Sequence, residues 1–243
     1  MWFWDHYDEA ASKLIDFLAG YGVGLAGRDV ADIGCGDGII DLGIVHKAAP
    51  ARLVGYDVNP TNLDHLRGEC RREGISDALP ESLEFAVCGE TSIPAADSSF
   101  DAVVSWSAFE HIAEPTPVLR EVRRILRPGG LVFIQVWPFY FSEHGSHLTE
   151  WFPEGFAQLV HSRDEVEARV RGGATDPAWA EYMLNAHLNR ITVDDLHRHL
   201  LTAGLRVAKL HLLSDAVHVP AALAHYPPSW IGVTGVLLLA SPL

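Results

Sequence analysis

The chain has 243 residues, of which 48% are hydrophobic and 21% are charged. This length and composition predict one globular domain with a buried core, and they exclude disordered, collagen-like and coiled-coil proteins. Lysines and arginines number 18 against 32 aspartates and glutamates, which gives a formal net charge of −14. Such a surface repels phosphate backbones, so we expect no nucleic-acid partner.

Three cysteines, Cys35, Cys70 and Cys88, occur without a CxxC pair or a zinc-finger spacing. This pattern indicates neither a disulfide framework nor a structural zinc site, and it favours a reducing compartment. No apolar run has the roughly 18 residues of a membrane span, and the first residues are acidic where a signal peptide is basic. We therefore expect a cytoplasmic protein without a membrane partner, and the oligomeric state stays open.

Helices and strands alternate along the first half of the chain. Apolar residues at helical spacing predict a first helix over 5–19. A second helix is predicted over 39–48. A third begins at a capping box formed by Thr61 and Asp64 and ends at about residue 73, and a fourth has Thr116 as its N-cap and ends at about residue 126. Short apolar segments between the helices predict five strands, at 29–33, 53–58, 83–87, 100–105 and 131–136.

The end of the chain has a different pattern. A helix over 193–203 precedes two apolar runs, 205–213 and 233–240, that have no helix between them. Two such strands are antiparallel neighbours, whereas the earlier apolar strands are typical of a parallel sheet covered on both faces. The prediction is a single α/β domain over 1–243, whose sheet is mostly parallel and has a reversed C-terminal strand. Residues 138–190, rich in aromatic and histidine side chains, form an insertion after the fifth strand.

A glycine-rich turn follows the first strand. Gly34, Gly36 and Gly38 alternate where the strand gives way to a helix, and such glycines let the backbone approach a ligand closely. Asp57 ends the second strand nineteen residues after Gly38, at the position from which a carboxylate reaches ribose hydroxyls. A nicotinamide-dependent oxidoreductase is the alternative nucleotide-binding class. It requires a glycine at position 39, which is Ile39 here.

Five motifs in chain order resemble the class I S-adenosylmethionine-dependent methyltransferases, in particular the small-molecule, methyltransferase type 11-like group. They are the glycine turn with the acid before it, the acidic end of the second strand, Ser99-Phe100-Asp101, Glu110-His111, and Leu126-Arg127-Pro128-Gly129-Gly130. The resemblance covers about residues 29–136. It implies a Rossmann-like, seven-stranded sheet, S-adenosylmethionine as cofactor and S-adenosylhomocysteine as product.

The resemblance also implies roles for the residues of the glycine turn. Asp32 and Gly34 would hold the methionine end of the cofactor, directly or through water. Gly36 and Gly38 would let the loop pass beneath it.

Further contacts to the cofactor are implied along the same edge. Asp57 would accept hydrogen bonds from the ribose diol, and Val58 would pack against the adenine. The family usually has an acid after the third strand, where Gly89 stands here and Glu90 follows one place later. Backbone groups around Gly89, with Glu90 as a side-chain contact, are therefore expected to bind the adenine.

Three aromatic or hydroxyl side chains complete the implied cofactor site. Ser105 and Trp106, at the end of the fourth strand, are expected to line the cavity beside the methionine. Tyr7 resembles the lid tyrosine that many relatives fold over the cofactor carboxylate, which makes residues 1–20 a lid helix.

Histidines near the expected cavity are candidates for general bases. His111 follows the fourth strand at the rim where the methyl group should point, although a packing or helix-capping histidine is an equally good interpretation. In the insertion, His144, His147 and Tyr140 are the other candidates for contact with the acceptor. His144, His147 and Glu150 have the three-residue spacing of a metal site on a helix, but the intervening glycine and serine disfavour a helix, so we predict no metal.

The expected function is methyl transfer from S-adenosylmethionine to a small organic molecule. The histidines favour an oxygen acceptor, in a natural product or a sugar-like metabolite, because a hydroxyl must lose its proton as the new bond forms. Nitrogen or carbon methylation and a cofactor-binding protein without catalysis are the alternatives. A protein or peptide substrate also stays open.

Overall fold

A seven-stranded sheet forms the centre of the computed structural model, which describes residues 2–243. The strand order is β3-β2-β1-β4-β5-β7-β6. All pairs from β3 to β5 are parallel, and β7 is antiparallel to both β5 and β6. This topology confirms the predicted fold class. The strands are β1 Asp29–Ile33, β2 Arg52–Asp57, β3 Leu83–Val87, β4 Phe100–Trp106, β5 Leu126–Val136, β6 Leu205–Leu213 and β7 Gly235–Pro242.

Helices cover both faces of the sheet. The N-terminal segment is helical throughout, with a π-helical stretch between α1 and α2, and the insertion contributes three helices of its own, α6 to α8. A short 3-10 helix precedes α10. The helical elements are α1 Trp2–Trp4, the π-helix Asp5–Ala10, α2 Ala11–Ala19, α3 Ile39–Ala48, α4 Leu63–Arg72, α5 Pro115–Ile125, α6 Ala157–Val160, α7 Arg163–Gly173, α8 Pro177–Asn185, α9 Val193–Thr202, the 3-10 helix Ala221–Leu223 and α10 Pro228–Ile231.

Two helix starts differ from the prediction. The N-cap of α4 is Asn62, whose side-chain oxygen accepts a hydrogen bond from the backbone N–H of His65 at 3.0 Å. Thr61 instead donates its hydroxyl proton to the carbonyl of Gly36 at 3.1 Å, so the predicted capping box was wrong. Thr116 lies inside α5, because the helix already begins at Pro115.

The two faces of the sheet bury separate hydrophobic clusters. One cluster lies beneath α5 and α9 and includes Val103, Ile134 and Leu238. The other lies beneath α2, α3 and α4. It includes Val104 and Phe133, which are adjacent in the chain to Val103 and Ile134 and therefore point to the opposite face. Burial on both faces explains the nearly continuous apolar sequence of the central strands.

The insertion has a small core of its own. Leu148, Trp151 and Phe152 pack there against Val170 of α7 and Ala180 of α8. Among the described residues, no helix combines the length and the apolar character needed to cross a membrane.

A matched pair of leucines tests how the C-terminal strands are stabilised. Leu238 of β7 and Leu210 of β6 are register partners, but Leu238 is buried whereas Leu210 is 49% exposed. We expect Leu238→Ala to lower the free energy of unfolding by about 2–5 kcal/mol, because it leaves a cavity in the core. Leu210→Ala should change it by less than about 0.5 kcal/mol. Urea denaturation of both variants checks this, and equal effects would contradict the difference in burial between the two leucines.

Candidate functional site

The glycine turn between β1 and α3 has a left-handed backbone at all three glycines. The φ angles are +81° at Gly34, +54° at Gly36 and +77° at Gly38. A Cβ atom on Gly34 would lie 2.3 Å from the Cβ of Ala108, and one on Gly38 would lie 2.5 Å from the ring of Phe85. No atom lies within 4 Å of the corresponding position on Gly36. The outer glycines are therefore required by packing, and the middle one faces open space.

Asp57 at the end of β2 is hydrogen-bonded to this turn. Its Oδ2 accepts from the backbone N–H of Gly36 at 3.1 Å, and its Oδ1 accepts from the N–H of Asn59 at 2.9 Å. Val58 beside it is 51% exposed. The partly exposed carboxylate keeps lone pairs for further donors, such as a pair of hydroxyl groups.

A buried pair of carboxyls lies behind the turn. Asp32 of β1 and Asp41 of α3 are both inaccessible to solvent, and neither Oδ1 of Asp32 nor either oxygen of Asp41 has a hydrogen-bond partner. Burial raises the pKa of Asp32 to about 7. Burial, together with the neighbouring charge of Asp32, raises the pKa of Asp41 well above its ordinary value. The pair therefore favours holding a proton that isolated carboxyls would lose.

Four other expected cofactor contacts lie around the same edge. The hydroxyl of Ser105 donates to the carbonyl of Ile33 at 2.7 Å and is fully buried, so it joins β4 to β1. Trp106 stacks on Phe133, with 6.2 Å between ring centroids. Gly89 and Glu90 are exposed in the loop after β3, where Gly89 forms a β-bridge with Ser92.

Tyr7 lies against the far end of α3. Its hydroxyl hydrogen-bonds to Nδ1 of His46 at 2.9 Å, eight residues and thus about 12 Å along the helix from Gly38. The N-terminal residue that reaches the glycine turn is Trp2, whose indole N–H donates to Oδ2 of Asp37 at 3.0 Å. Trp2 is thus bonded directly to the glycine turn, and the lid role of Tyr7 stays a prediction.

Two of the candidate histidines meet across the carboxyl edge of the sheet. Glu110 and His111 lie in the turn after β4, and His147 lies in a turn of the insertion. Each of the three residues has one nitrogen or oxygen atom that could bind a metal, and these three atoms lie within 4.8 Å of one another. The ring centroids of the two histidines are 5.2 Å apart. We call Glu110, His111 and His147 the histidine–glutamate cluster.

Burial controls the charge of this cluster. It raises the pKa of Glu110 to about 8, and the nearby backbone N–H groups of Glu110 and Trp137 offset only part of that rise. Burial, with a smaller electrostatic contribution from the neighbouring His111, lowers the pKa of His147 to about 4. At pH 7 the cluster therefore offers a neutral imidazole and a carboxyl that holds its proton more tightly than usual.

The segment before Ile191 holds the turn that carries this cluster. The side chain of Asn189 donates to the carbonyls of Phe109 and Ile112, at 2.5 and 2.7 Å, and its backbone N–H donates to the carbonyl of Glu110 at 2.9 Å. The carbonyl of His187 accepts a hydrogen bond from Nδ1 of His111 at 2.7 Å. These contacts join residues far apart in sequence, and only the polar character of the segment indicated them.

The other candidates in the insertion lie apart from the cluster. The Nε2 of His144 is 3.8 Å from a carboxylate oxygen of Glu143, and the ring of Tyr140 lies beneath the guanidinium of Arg190 at 5.0 Å. His144, His147 and Glu150 lie in turns and not on a helix, so their spacing does not place them on one face. Glu110, buried at 2% exposure, belongs to the Glu110-His111 motif of the family, but no role in the site was expected of it from the sequence.

A cleft of about 520 Å³ opens beside the carboxyl edge of the sheet. It extends from Asn59, two residues beyond Asp57, to His111. Its other walls come from the end of α8 and the residues after it, namely Glu181, Tyr182, Asn185, Ala186 and His187.

The sequence matches known methyltransferases. Residues 31–134 match the family model described as a methyltransferase domain. The ubiquinone biosynthesis O-methyltransferase of Methylococcus capsulatus is 30% identical over 166 residues, which are 65% of this chain and 67% of that protein. The protein of the same name from Methylobacterium sp. (strain 4-46) is 34% identical over 110 residues, 45% of this chain and 41% of that one. The chain spans about half the length or less of several relatives at 31–34% identity.

Solved structures share the fold at lower sequence identity. Geranyl diphosphate C-methyltransferase from Streptomyces coelicolor A3(2), solved with Mg²⁺, geranyl diphosphate and S-adenosylhomocysteine, superposes with a TM-score of 0.58 at 15% identity, over 97% of this chain and 79% of that one. The chain belongs to the class I S-adenosylmethionine-dependent methyltransferases. This confirms the family to which the five sequence motifs pointed.

The residues around the glycine turn fit the cofactor of this family. The space beside Gly36 is open, Oδ1 of Asp32 lacks a partner, and the carboxylate of Asp57 is partly exposed at the neighbouring strand end. An unpartnered buried oxygen and an open glycine turn are the features that a charged, hydroxyl-bearing nucleoside needs.

The buried carboxyl pair predicts an unusual dependence of stability on pH. Asp32 keeps its proton to higher pH in the folded state than in the unfolded chain. The contribution of this proton to the free energy of unfolding is therefore complete below about pH 4 and is lost as the pH rises through about 7. Asp41→Asn removes one of the two charges. We expect this variant to be more stable than the wild type at pH 8, with the difference shrinking towards pH 4 at no more than about 1.4 kcal/mol per pH unit.

Urea denaturation at several pH values measures this difference. Asp16→Asn, on an exposed position of α2, is the control and should follow the wild type at every pH. An Asp41→Asn variant destabilised equally at all pH values would contradict the raised pKa values of the buried pair.

Proposed function

We propose that this protein transfers the methyl group of S-adenosylmethionine to an oxygen atom of a small organic acceptor. The main support is the cleft whose walls include Asn59, two residues after Asp57, and His111 of the histidine–glutamate cluster. The glycine turn and Asp57 are suited to a nucleoside, and the cluster at the same edge of the sheet is suited to removing a proton. The relatives named as O-methyltransferases support the choice of oxygen.

The cofactor would be held by the residues around the glycine turn. Asp57 would accept hydrogen bonds from the ribose diol, with Val58 and the loop at Gly89 and Glu90 along the adenine. Asp32 would face the methionine end behind Gly34. Trp2, already bonded to Asp37, would close the turn from the N-terminal side in the role expected of Tyr7.

When bound, the cofactor supplies a methyl group on a sulfonium, whose C–S bond breaks as the new O–C bond forms. The protein has to align the acceptor, exclude water and take away the acceptor's proton. We assign the last task to the histidine–glutamate cluster, because His147 is neutral at pH 7 and its Nε2 is buried without a partner. Nitrogen, carbon and sulfur acceptors have less need of such a group.

The acceptor would enter from the side of the insertion. The end of α8 and the residues after it form the outer wall of the cleft, with an aromatic ring at Tyr182 and amide groups at Asn185. Aromatic and amide side chains suit a hydroxylated ring or sugar. In this proposal the chain is one methyltransferase domain, with an N-terminal lid over 1–20 and an insertion over 138–190 that selects the acceptor.

A titration of cofactor binding tests the first half of the proposal. Calorimetry should detect S-adenosylmethionine and S-adenosylhomocysteine but not NAD. We expect Asp57→Asn to weaken S-adenosylmethionine binding by about 10- to 100-fold, because it removes a charged acceptor from the ribose. The control Asp64→Asn, at a side chain that is 99% exposed on α4, should bind normally.

Two results would contradict the proposed cofactor site. One is unchanged binding by Asp57→Asn, and the other is binding of NAD in preference to the sulfur compounds.

A second prediction concerns turnover. With a hydroxylated acceptor found by screening, His147→Asn should lower kcat by about 10²- to 10⁴-fold while S-adenosylmethionine still binds. His65→Asn, on the exposed side of α4, is the control and should keep full activity. Full activity in His147→Asn would remove the cluster from the reaction.

A further inference from the structure

The histidine–glutamate cluster has the ligand set of a metal centre. It combines two imidazoles with one carboxylate. Each residue offers one nitrogen or oxygen atom, and these three atoms lie within 4.8 Å of one another. Two histidines and a carboxylate on one side of an ion are a recurrent arrangement for divalent first-row transition metals, which leaves further coordination positions open. Calcium and magnesium prefer sets made only of oxygen atoms.

The hydrogen bond at His111 prepares this residue to be a ligand. A carbonyl oxygen only accepts hydrogen bonds, so Nδ1 of His111 carries the proton that is donated to the carbonyl of His187 at 2.7 Å. Its Nε2 therefore presents a lone pair. A backbone carbonyl that receives the other ring N–H is the usual way in which a metal-binding histidine is oriented.

The remaining two residues present atoms that nothing else satisfies. The Nε2 of His147 and both carboxylate oxygens of Glu110 are buried and lack a hydrogen-bond partner among residues 2–243. Glu110 is only 2% exposed, so solvent does not satisfy it. Buried polar atoms without a partner are rare in native proteins and indicate an absent ligand when they converge.

The surroundings keep these three side chains in place. Asn189 fixes the turn of Glu110 and His111 by hydrogen bonds to the carbonyls on either side of them. His147 has a φ of +61°, a left-handed conformation that is unfavourable for a non-glycine residue and persists where the surroundings impose it. The cluster is therefore held by structure on both sides.

We propose that Glu110, His111 and His147 bind one divalent first-row transition-metal ion, such as Zn²⁺, Co²⁺ or Mn²⁺. Binding itself does not depend on the function proposed above. The consequence for catalysis does: a hydroxyl acceptor in the cleft would be held beside the ion, and its proton would leave to solvent as the O–C bond forms. With the ion bound, the cluster would still serve deprotonation of the acceptor, but through the ion, and Nε2 of His147 would be a ligand in place of the base proposed above for the metal-free protein.

Direct binding of metal ions to this 243-residue chain tests the proposal without cofactor or acceptor. Protein stripped with a chelator and dialysed is titrated with Zn²⁺, Co²⁺, Mn²⁺ and Mg²⁺ by calorimetry, and the visible spectrum of the Co²⁺ form reports its ligands. We expect one ion per chain, with Mn²⁺ weaker than Co²⁺ and Zn²⁺ and no competition by Mg²⁺.

Three variants locate the site. Glu110→Gln has the shape of the protonated carboxyl and should fold, and His147→Asn provides a second, independent ligand loss. Each should weaken Zn²⁺ binding by at least about tenfold and change the Co²⁺ spectrum. His65→Asn is the matched control, because His65 and Glu69 form another histidine–glutamate pair on the surface of α4.

Several results would overturn the proposal. The first is that the wild type, stripped of metal and still folded, binds none of the ions. The second is that binding persists in both Glu110→Gln and His147→Asn, and the third is that binding is lost in His65→Asn. Because no S-adenosylmethionine is present, failure of this experiment is distinct from failure of the cofactor titration. Metal binding together with unchanged turnover after chelation would limit the ion to a structural role and contradict its part in catalysis.

Discussion

The crevice at the carboxyl edge of the sheet exists because the chain leaves two neighbouring parallel strands in opposite directions. β1 pairs with β2 on one side and with β4 on the other, and the connections after β1 and β4 lead away from each other. The two loops touch where Gly34 passes against Ala108. One topological feature thus brings the glycine turn next to the turn that carries Glu110 and His111.

The same edge collects the carboxyls that the fold leaves unsatisfied. Among the residues described, the buried carboxyl oxygens without a hydrogen-bond partner belong to Asp32, Asp41 and Glu110. Each unpaired group costs on the order of 1–3 kcal/mol, which the hydrophobic clusters on the two faces of the sheet have to offset. Proteins keep such groups where they meet a ligand. The unsatisfied oxygens of Asp32 and Glu110 therefore agree with a ligand site at this edge of the sheet.

Local sequence predicted the backbone well and the side-chain partners poorly. The glycine turn, the acid at the end of β2 and the reversed β7 were all evident from spacing and hydrophobic pattern. The start of α4 was wrong because Thr61 bonds to the carbonyl of Gly36, a contact between two loops that local capping rules do not include. The hydrogen bonds of Tyr7 to His46 and of Trp2 to Asp37 were not predicted either, because they depend on how the N-terminal helix packs against α3.

Spacing and hydrophobic pattern were sufficient to predict the seven strands in chain order, the glycine turn and the family. These features depend on residues close together in the chain, whose backbone preferences act over a few positions. The approach of His147 to Glu110 and His111, and the hydrogen bonds from Asn189 to their turn, are evident from the folded chain alone. Those contacts depend on the path of the insertion across the sheet edge, which is set by the packing of its own core and not by any local pattern.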